Sequence, residues 1–423
     1  MKDYLPRIAD KIMEDLLSAT GAVLIQGPKW CGKTTTGRMI AKSVIEMDNP
    51  EFSEQYQQLA SINPSQMLQG DVPLLIDEWQ YATNLWNAVR YEVDKRDEFG
   101  QFILTGSSVP PLLDKTTHTG TGRIARMTMR PMSLFESQDS NGNVSLKSLF
   151  KGENIEGTDN HQLSDIAYLI CRGGWPKSVG VSTKTALIQG RNYYDAIVYD
   201  DIDRADGVEK NREKTKKLLK SYARNIAQQV SLEQIRKDII EIETESFSPN
   251  TLYSYLEALK KIFVIEDAPA WNPNLRSKTA IRTTETRYFV DPSIATSALG
   301  LGPEDLINDL NTMGLIFENL CVRDLRVYAQ SIDGDLYHYR DKEGLECDAV
   351  IHLRNGSYGL IEIKLGGDKL IEEGAKSLNK LASKIDTTKM KKPAFKMVLC
   401  GVAPFAYKRP DDVYVVPVCT LKD

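Results

Sequence analysis

The segment Gly27–Thr34, with the sequence GPKWCGKT, has the residue types and spacing of a phosphate-binding loop. It fits G-x-x-x-x-G-K-[ST], in which glycines let the backbone turn its amides toward phosphate oxygens. Lys33 can offer its ammonium to the β- and γ-phosphates, and the Thr34 hydroxyl can ligate magnesium. An apolar run precedes the loop and a helical pattern to about Ser43 follows it; a chance glycine-rich turn is the alternative. We expect nucleotide contacts from Gly27, Pro28, Lys29, Trp30, Cys31, Gly32, Lys33, Thr34 and Thr35.

Two consecutive acids, Asp77 and Glu78, end a second apolar run, PLLIDE. Buried carboxylates at a strand end are costly unless a cation or a partner meets them. We expect Asp77 to hold magnesium through its water shell and Glu78 to accept a proton from the attacking water. The alternative is that the two acids only cap the following helix. With Thr34 as a further magnesium ligand, the pattern predicts hydrolysis of ATP with Mg²⁺ as cofactor.

Hydroxyl and guanidinium groups follow the next strand-like run, QFILTGSS. Thr105, Ser107 or Ser108 can orient the water or sense the γ-phosphate, and Ser107 is our choice of cofactor contact. Downstream, GRIARMTMRP carries three arginines. An arginine that reaches the nucleotide of a neighbouring subunit stabilises transition-state charge, and we assign this catalytic role to Arg123. A surface or sheet-edge position for all three arginines is the alternative.

These motifs together resemble a prokaryotic group of ATPases of the AAA superfamily. In the first third of the chain the similarity rests on GPKWCGKTTT, LLIDEWQ, ILTGSS and GRIARMTMRPMSLFE. It continues through GGWP at 173–176, YFVDPSIA at 288–295 and FEN at 317–319, and so covers essentially the whole chain. The resemblance implies an AAA-type core, a winged-helix-like middle and a nuclease-like end. It also implies a homo-oligomer, because an arginine acting in trans needs a neighbouring subunit.

The last third contains a second group of charged residues, in LECDAV and LIEIK. Side chains alternate between the two faces of a strand, so Glu362 and Lys364 share a face, and an antiparallel hairpin through RNGS brings Asp348 beside them. We expect Asp348 and Glu362 to bind divalent ions, with Glu318 on the preceding helix as a further metal ligand. Lys364 can position the water that such an ion activates against a phosphodiester.

The predicted order of elements around these residues is a helix, three strands, a helix and a strand. With an acid on the second strand and E-x-K on the third, this order resembles the PD-(D/E)XK nuclease fold. The resemblance implies catalytic roles for Asp348, Glu362 and Lys364 in magnesium-dependent cleavage of DNA. Two alternatives stay open: the charges form only a solvated sheet face, or the domain binds DNA without cutting it.

The middle third is predicted to be mostly helical. Helical patterns at 162–172, 184–200 and 213–229 precede two helix starts, at Ser231 and Ser248, where serine can cap free amides. A strand-like run, FVIEDA, follows the second of these helices, and helix, helix, strand of this size indicates a winged helix. Its second helix can enter a DNA groove; packing as a lid on the ATPase is the alternative.

Composition limits the remaining classes of protein. The chain has 423 residues and a formal net charge of −5, so DNA contacts require local basic patches, such as the lysine-rich stretch 369–392. The alternative for this stretch is a solvated helix face. No apolar run reaches the ~18 to 20 residues that span a bilayer, and the charged N-terminal stretch lacks the apolar core of a secretion signal. Six dispersed cysteines lack metal-type spacing and are expected to be reduced, buried or half-buried thiols. We therefore expect a cytoplasmic protein.

The sequence as a whole predicts an α/β protein of three domains. Residues 1–160 form a P-loop, AAA-type ATPase domain with a parallel sheet, since strands that alternate with helices pair in parallel; 136–160 is a loop or domain border. Residues 161–305 form the helical and winged-helix domain, and 306–423 an α/β domain like that of restriction endonucleases. The leading hypothesis is an ATPase coupled to a nuclease-like domain acting on DNA. One rival is an ATP-gated regulator that binds DNA or a protein partner without cleavage, and another is an ATPase that engages no nucleic acid.

Overall fold

A computed structural model describes residues 4–107, 120–240, 247–273 and 283–423. The chain divides into two compact units whose segments are interleaved along the sequence. Unit 1 comprises Met1–Pro131, Tyr199–Lys210 and Tyr255–Val264, and unit 2 comprises Met132–Val198, Asn211–Ser254 and Ile265–Asp423. The three contiguous domains expected from the sequence stay a prediction.

Within the described residues, unit 1 is built on a five-stranded parallel sheet with the strand order β2–β3–β4–β1–β5. The strands are Ala22–Gln26 (β1), Ser43–Glu46 (β2), Leu74–Asp77 (β3), Phe102–Gly106 (β4) and Ile124–Thr128 (β5). The predicted parallel α/β core is therefore confirmed. The helix after the phosphate loop ends at Ile40 rather than near Ser43, where β2 begins. No side chain of β2 is fully buried, so this edge strand lacks the apolar run that marks β1 and β3.

Both faces of this sheet are buried. Ala22 and Leu24 of β1 pack in an apolar cluster with Trp79, whereas Val23 and Ile25 point to the opposite face and join a second cluster. Strands that are buried on both faces have continuous apolar sequences, which explains why AVLI and LLI were recognisable as strands. The helices of this unit are Ile8–Leu17, Lys33–Ile40, Ser53–Ile62, Pro64–Met67, Leu85–Arg96 and Ile202–Arg204.

Unit 2 contains a mixed sheet with the strand order β7–β12–β13–β11–β10–β9–β8, and a short separate pair, β6 with β14. The strands are Val144–Ser145 (β6), Gly157–Thr158 (β7), Gly334–Arg340 (β8), Glu346–Leu353 (β9), Tyr358–Gly366 (β10), Phe395–Val402 (β11), Phe405–Lys408 (β12), Tyr414–Pro417 (β13) and Leu421–Lys422 (β14). β8, β9 and β10 are antiparallel neighbours, and β10 pairs with β11 in parallel. The helix Leu310–Gln330 precedes β8, and the helix Asp368–Lys384 follows β10. The order of elements predicted for the last third is confirmed.

The stretch 136–160, predicted to be a loop or domain border, contains ordered elements. β6 pairs in parallel with β14, and β7 pairs antiparallel with β12. The helix Leu146–Lys151 lies between β6 and β7 in the chain. These strands have two residues each and therefore no detectable alternation. Because their partners lie near the far end of the chain, the local sequence did not reveal them.

The middle third is largely helical, as predicted. The helices are Leu163–Arg172, Thr183–Ala196, Arg212–Arg224, Leu232–Ile240, Pro249–Lys261, Pro292–Leu299 and Pro303–Asn308. The two predicted serine caps are confirmed: the Ser231 hydroxyl accepts a hydrogen bond from the backbone amide of Gln234 at 3.2 Å, and the Ser248 hydroxyl from that of Thr251 at 3.1 Å. None of the described helices is long and apolar enough to cross a membrane. All six cysteines are free and buried, as expected.

The predicted strand FVIEDA, at 263–268, differs from the structure. It forms isolated antiparallel bridges, Ile265 with Phe289 and Ala268 with Thr286, rather than a continuous ladder. The apolar character of this run reflects burial of its side chains, since Ile265 and Ala268 are buried. Assignment of this region as the wing of a winged helix stays a prediction.

Three of the motifs quoted for the family resemblance (GRIARMTMRPMSLFE, GGWP and YFVDPSIA) meet the helix that carries FEN in a buried ion network of unit 2. The backbone amide of Gly174 donates to Asp291 Oδ2 at 2.8 Å, and Arg323 donates to Asp291 Oδ2 at 3.0 Å and to Asp324 Oδ1 at 2.8 Å. The amide of Leu134 donates to Asp324 Oδ2 at 2.9 Å. The side chains of Arg323, Asp291 and Asp324 are at most 1% exposed. The network therefore gives these motifs a structural role in joining four segments of unit 2.

Replacing Arg323 by methionine should strongly destabilise the protein. The substitution removes the cation and leaves the carboxylates of Asp291 and Asp324 buried and uncompensated, which typically costs about 3–5 kcal/mol. Urea denaturation measures the change. As a control, Arg354→Met removes an ion pair with Asp335 whose side chains are 79% and 54% exposed, and should cost less than about 1 kcal/mol. Equally small losses in both variants would contradict the importance of the network.

Candidate functional site

The phosphate loop connects β1 to the helix Lys33–Ile40. Gly27 and Gly32 have φ values of 152° and 105°, which residues with a side chain rarely adopt. A Cβ atom on Gly27 would lie 2.0 Å from the carbonyl oxygen of Met129. Both glycines of the motif are therefore required by the path of the backbone. The strand-to-helix context predicted for the loop is present.

Lys33 and Thr34 begin the helix that follows the loop. Lys33 is buried, and its Nζ donates to the carbonyl oxygens of Gly27 at 2.9 Å and of Pro28 at 2.7 Å. These bonds hold the ammonium group against the curve of the loop. The Thr34 hydroxyl donates to Asp77 Oδ1 at 2.8 Å, so the two predicted magnesium ligands of this site meet directly.

Glu78 comes directly after β3 and has a φ of 53°. The Ser107 hydroxyl donates to Glu78 Oε2 at 3.1 Å, and the Gln80 amide donates to the same oxygen. Burial raises the pKa of Glu78 above its ordinary value, and the nearby charge of Lys33 opposes this rise. A carboxylate with a pKa nearer to neutrality is better matched to accepting a proton from water. Ser107 is therefore placed beside the predicted proton acceptor, and Ser108 lies outside the described residues.

The Asp77 carboxylate has a second hydroxyl partner, Thr105, which the sequence indicates only as an alternative to Ser107. The Thr105 hydroxyl donates to Asp77 Oδ1, and Thr105 Oγ1 accepts from the backbone amide of Glu78 at 3.2 Å. Thr105 is fully buried, and Asp77 is 5% exposed. Because Thr105 bonds to both members of the acidic pair, it fixes their relative positions.

The remaining residues of the loop have different surroundings. Lys29 forms an ion pair with Asp201, whose side chain is largely buried and which belongs to the segment 199–210 of unit 1. Cys31 is buried, whereas Trp30 is 40% exposed and Thr35 is exposed. Direct contact of these four residues with a nucleotide stays a prediction.

Sequence patterns do not indicate a role for Arg7, which holds the phosphate loop by a hydrogen bond to its backbone. Its guanidinium donates to the carbonyl oxygen of Cys31 at 2.7 Å and to that of Arg130 at 2.9 Å. Arg7 is 6% exposed. It thus ties the phosphate loop to the residues that follow β5. Neither Arg7 nor Asp201 belongs to a recognisable motif, so only the folded chain reveals their connection to the loop.

Arg123 lies at the end of the sheet opposite to its own phosphate loop. It directly precedes β5, and its carbonyl oxygen accepts from the amide of Ala22 at the start of β1. Its Nε lies 2.7 Å from Asp94 Oδ1, and its side chain is 47% exposed. A role at the nucleotide of a neighbouring subunit stays a prediction. Arg130, in contrast, follows β5 at the same sheet edge as the loop.

The charged residues predicted in the last third also come together. Lys364 Nζ lies 3.2 Å from Asp348 Oδ2 and 2.7 Å from Glu362 Oε2. Asp348 Oδ2 further accepts from the backbone amide of Ile363 at 2.7 Å. Glu362 is 4% exposed. Burial is the largest cause that raises the pKa of Glu362, to about 8; the charge of Asp348 adds to the rise and that of Lys364 opposes it.

Glu318 is the fourth member of this carboxylate cluster. It lies on the helix Leu310–Gln330, and its Oε1 accepts a hydrogen bond from the hydroxyl of Tyr288. Burial raises the pKa of Glu318 well above its ordinary value, and the negative charge of Asp348 raises it further. The charge of Asp348 thus raises the pKa of both Glu318 and Glu362, and such a group of carboxylates favours an added cation. Tyr288, from the motif YFVDPSIA, was not predicted to contact this cluster.

The lysine-rich stretch 369–392 is mostly neutralised by acids. Four of its lysines form ion pairs within 4.0 Å: Lys369 with Glu373, Lys376 with Glu372, Lys384 with Asp341 and Glu343, and Lys389 with Asp386. This pattern favours the alternative of a solvated helix face over a basic patch for DNA.

Comparison with protein families agrees with the geometry of unit 1. Residues 19–138 match the model of an AAA domain, residues 163–305 match a domain of unknown function, DUF8612, and residues 313–421 match another, DUF4143. The AAA match contains both the phosphate loop and the acidic pair. Together with the parallel sheet, it defines an ATPase core of the AAA superfamily. Each match lies within one of the three predicted domains, whose boundaries stay a prediction.

Two mycobacterial proteins are similar to most of the chain. They are the uncharacterized proteins Rv2008c of Mycobacterium tuberculosis and Mb2031c of Mycobacterium bovis, each 23% identical over 348 residues, with 81% of this chain and 70% of the relative covered. Among solved structures, the Walker-type ATPase PABY2304 of Pyrococcus abyssi has a TM-score of 0.43 and 17% identity, covering 70% of this chain and 96% of that one. RuvB of Thermotoga maritima has a TM-score of 0.26 and 16% identity, covering 62% and 88%. Because these TM-scores are low, we base the ATPase assignment on the AAA match and the loop geometry.

The raised pKa of Glu362 predicts a specific dependence of stability on pH. With a pKa of about 8 in the folded protein against an ordinary 4.5, Glu362 holds a proton that the unfolded chain releases. Stability should therefore fall as the pH rises from about 5 to 8. Glu362→Gln removes this titration, so its free energy of unfolding relative to wild type should rise with pH, by up to about 1.4 kcal/mol per pH unit.

Urea denaturation of both proteins at several pH values, with EDTA present, tests this expectation. Glu373→Gln is the matched control, because its carboxylate is 56% exposed and should show no such trend. A difference between Glu362→Gln and wild type that stays constant from pH 5 to pH 8 would contradict the proposed proton uptake.

Proposed function

We propose that unit 1 binds ATP with magnesium and hydrolyses it. The observation that carries this proposal is the 2.8 Å hydrogen bond between Thr34 and Asp77, which joins the phosphate loop to the acidic end of β3. A hydroxyl and a carboxylate are the oxygen donors that Mg²⁺ prefers, and its remaining positions would be filled by water and phosphate oxygens. Magnesium neutralises charge on the transferring phosphoryl group when it is bound.

Each residue of this site has its own role in hydrolysis. The inward amides of the loop and the Lys33 ammonium hold the phosphates and offset their negative charge. Glu78 accepts a proton as the attacking water forms its bond to the γ-phosphorus, while the bond to the β-γ bridging oxygen breaks. Ser107 and Gln80 orient the Glu78 carboxylate for this transfer. Asp77, which accepts hydrogen bonds from the hydroxyl groups of Thr34 and Thr105, would help to hold the magnesium ion.

Glu78→Gln should bind ATP but turn it over slowly. The amide keeps the shape of the side chain and loses the ability to take a proton, a change that typically costs 10²- to 10⁴-fold in rate. Phosphate release under single-turnover conditions measures the effect, with nucleotide affinity measured in parallel. Glu51→Gln, an exposed acid of the same unit, is the control and should hydrolyse ATP normally. Normal turnover by Glu78→Gln would place the proton acceptor elsewhere.

A second candidate function concerns the carboxylate cluster of unit 2. We propose that Asp348, Glu362 and Glu318 hold a divalent metal ion for hydrolysis of a DNA phosphodiester, with Lys364 positioning the attacking water. The supporting observation is that the three carboxylates lie around one ammonium group, that of Lys364. The donor set suits a hard cation, because it consists of carboxylate oxygens, and a bound metal would displace the proton that burial favours on Glu362. A bound metal would supply Lewis-acid activation of water.

The alternative to cleavage is an ATP-gated regulator that binds DNA or a protein partner. It is favoured by the direct pairing of Lys364 with both acids, because the ammonium already neutralises the charge that would attract a metal. Neutralised lysines in the stretch 369–392 also reduce the attraction for a phosphate backbone.

Asp348→Asn distinguishes these two functions. If the cluster cleaves DNA, wild type should nick supercoiled plasmid with Mg²⁺ or Mn²⁺, and the variant should lose at least about 100-fold of this activity. The reaction should be run with and without ATP. Asp335→Asn, at an exposed acid of β8, is the control. Absence of nicking by wild type, together with salt-sensitive DNA retention, would refute cleavage and support the regulator.

Several finer features belong to the same proposal. A homo-oligomer would let Arg123 reach a neighbouring nucleotide, as its exposed position permits. The helix Pro249–Lys261 presents Asn250, Ser254 and Lys260 as exposed polar groups, which suits contact of a winged helix with DNA. A cytoplasmic location completes the proposal, since it would supply both ATP and Mg²⁺.

A further inference from the structure

Outside the two sites above, unit 2 brings together a carboxylate, an imidazole and a thiol. Asp159 directly follows β7, and His161 lies just before the helix Leu163–Arg172. Cys419 lies in the short 3-10 turn Val418–Thr420, before β14. One possible ligand atom from each of these residues lies within 4.8 Å of the other two. We call this group the Asp-His-Cys cluster.

Backbone hydrogen bonds hold the segments of the cluster in place. The amide of Asp159 donates to the carbonyl oxygen of Pro404 at 3.1 Å, next to the pairing of β7 with β12. Asn141 connects the segment of Asp159 to the segment of Cys419. Its backbone amide donates to the carbonyl oxygen of Cys419 at 2.9 Å, and its side-chain amide donates to the carbonyl oxygen of Thr158 at 2.9 Å. These hydrogen bonds fix the backbone that carries Asp159 and Cys419, as a preorganised ligand site requires.

Asp159 carries an unsatisfied oxygen inside this cluster. Its Oδ1 lies 2.6 Å from His161 Nδ1, as in an ordinary Asp–His pair. Its Oδ2 is buried and has no hydrogen-bond partner among the described residues, although the side chain is only 3% exposed. A buried carboxylate oxygen without a donor costs free energy. An Asp–His pair alone therefore does not account for the cluster, whereas a bound cation would satisfy this oxygen.

The surroundings of Cys419 are negatively charged. The residue is 1% exposed, and burial raises the pKa of its thiol, with further increases from the charges of Asp159 and Asp139. The same negative potential attracts a cation, and a metal ion deprotonates a coordinating thiol. A cavity of about 550 Å³, lined by Asp139, Asp159, His161 and Asp165 among others, gives solvent access beside the cluster.

We propose that Asp159, His161 and Cys419 bind a divalent transition-metal ion of the zinc class, with water as the fourth ligand. Sulfur, imidazole nitrogen and carboxylate oxygen are the ligands that Zn²⁺ takes in proteins, whereas Mg²⁺ and Ca²⁺ select oxygen donors. On binding, the sulfur of Cys419 bonds to the ion and the thiol proton passes to solvent. The ion would link the loop after β7 to the turn before β14, and so fasten the two ends of unit 2.

Titration of the metal-free, full-length protein with Co²⁺ tests this proposal. Wild type should take up an ion that gives a thiolate-to-cobalt charge-transfer absorption, and Zn²⁺ should displace it. A Co²⁺ ion at the carboxylate cluster or at the nucleotide site would have oxygen ligands and give no such absorption. Saturation with Zn²⁺ should also raise the melting temperature, by roughly 5 °C at an ion concentration near 100 times the dissociation constant.

His161→Ala is the decisive variant, because the His161 side chain is 34% exposed and its removal should leave the fold intact. It should weaken Co²⁺ affinity at least about 100-fold and remove the thermal shift. Cys419→Ser should lose the charge-transfer absorption. Cys171→Ser, at a buried thiol outside the cluster, should retain the Co²⁺ affinity, the charge-transfer absorption and the thermal shift of wild type.

Two outcomes would overturn the metal site. One is the absence of a charge-transfer absorption in wild type at saturating Co²⁺, with the fold verified by circular dichroism. The other is an absorption whose affinity in His161→Ala stays within about twofold of wild type, since the thiolate would then bind metal without the cluster.

Discussion

Backbone amides can hold a polyphosphate only where the chain keeps them turned inward, and this constraint governs unit 1. Gly27 passes so close to the Met129 carbonyl that no side chain fits. Arg7 clamps the loop at Cys31 and the chain after β5 at Arg130. These contacts fix the loop before any ligand binds, so little ordering cost falls on nucleotide binding.

The lysines of the two sites differ in whether they form ion pairs with the acidic residues beside them. In unit 1, Lys33 donates to carbonyl groups of its own loop, whereas Asp77 Oδ1 accepts hydrogen bonds from hydroxyl groups. In unit 2, Lys364 lies directly against Asp348 and Glu362, and its charge opposes the rise in the pKa of Glu362. A cation can therefore join Asp77 without breaking an ion pair, whereas a metal in unit 2 must compete with an ammonium group.

Sequence predicted the parts of both sites that adjacent residues determine. Gly27, Lys33 and Thr34 form a contiguous motif, and strand alternation placed Glu362 and Lys364 on one face with Asp348 across the hairpin. The parallel sheet followed from apolar strands buried on both faces. These features depend on local periodicity, which a single sequence displays.

Features that depend on distant segments were not predictable from the sequence. Asp201 reaches Lys29 from the middle of the chain, and Tyr288 reaches Glu318 from another element. Sequence patterns do not indicate a role for Cys419, because its cluster partners lie far away in sequence, where no spacing rule applies. The interleaved units likewise follow from tertiary packing rather than from local composition.

Equilibrium titration of the protein with fluorescently labelled ATP in the presence of Mg²⁺ is the direct test of nucleotide binding at the phosphate loop. We expect saturable binding by wild type, and affinity lowered about 10- to 100-fold in Lys33→Ala, because one charge-assisted interaction is lost. Circular dichroism should show that the variant is folded. A wild-type signal that does not saturate, or equal affinities of wild type and Lys33→Ala, would contradict nucleotide binding at the phosphate loop.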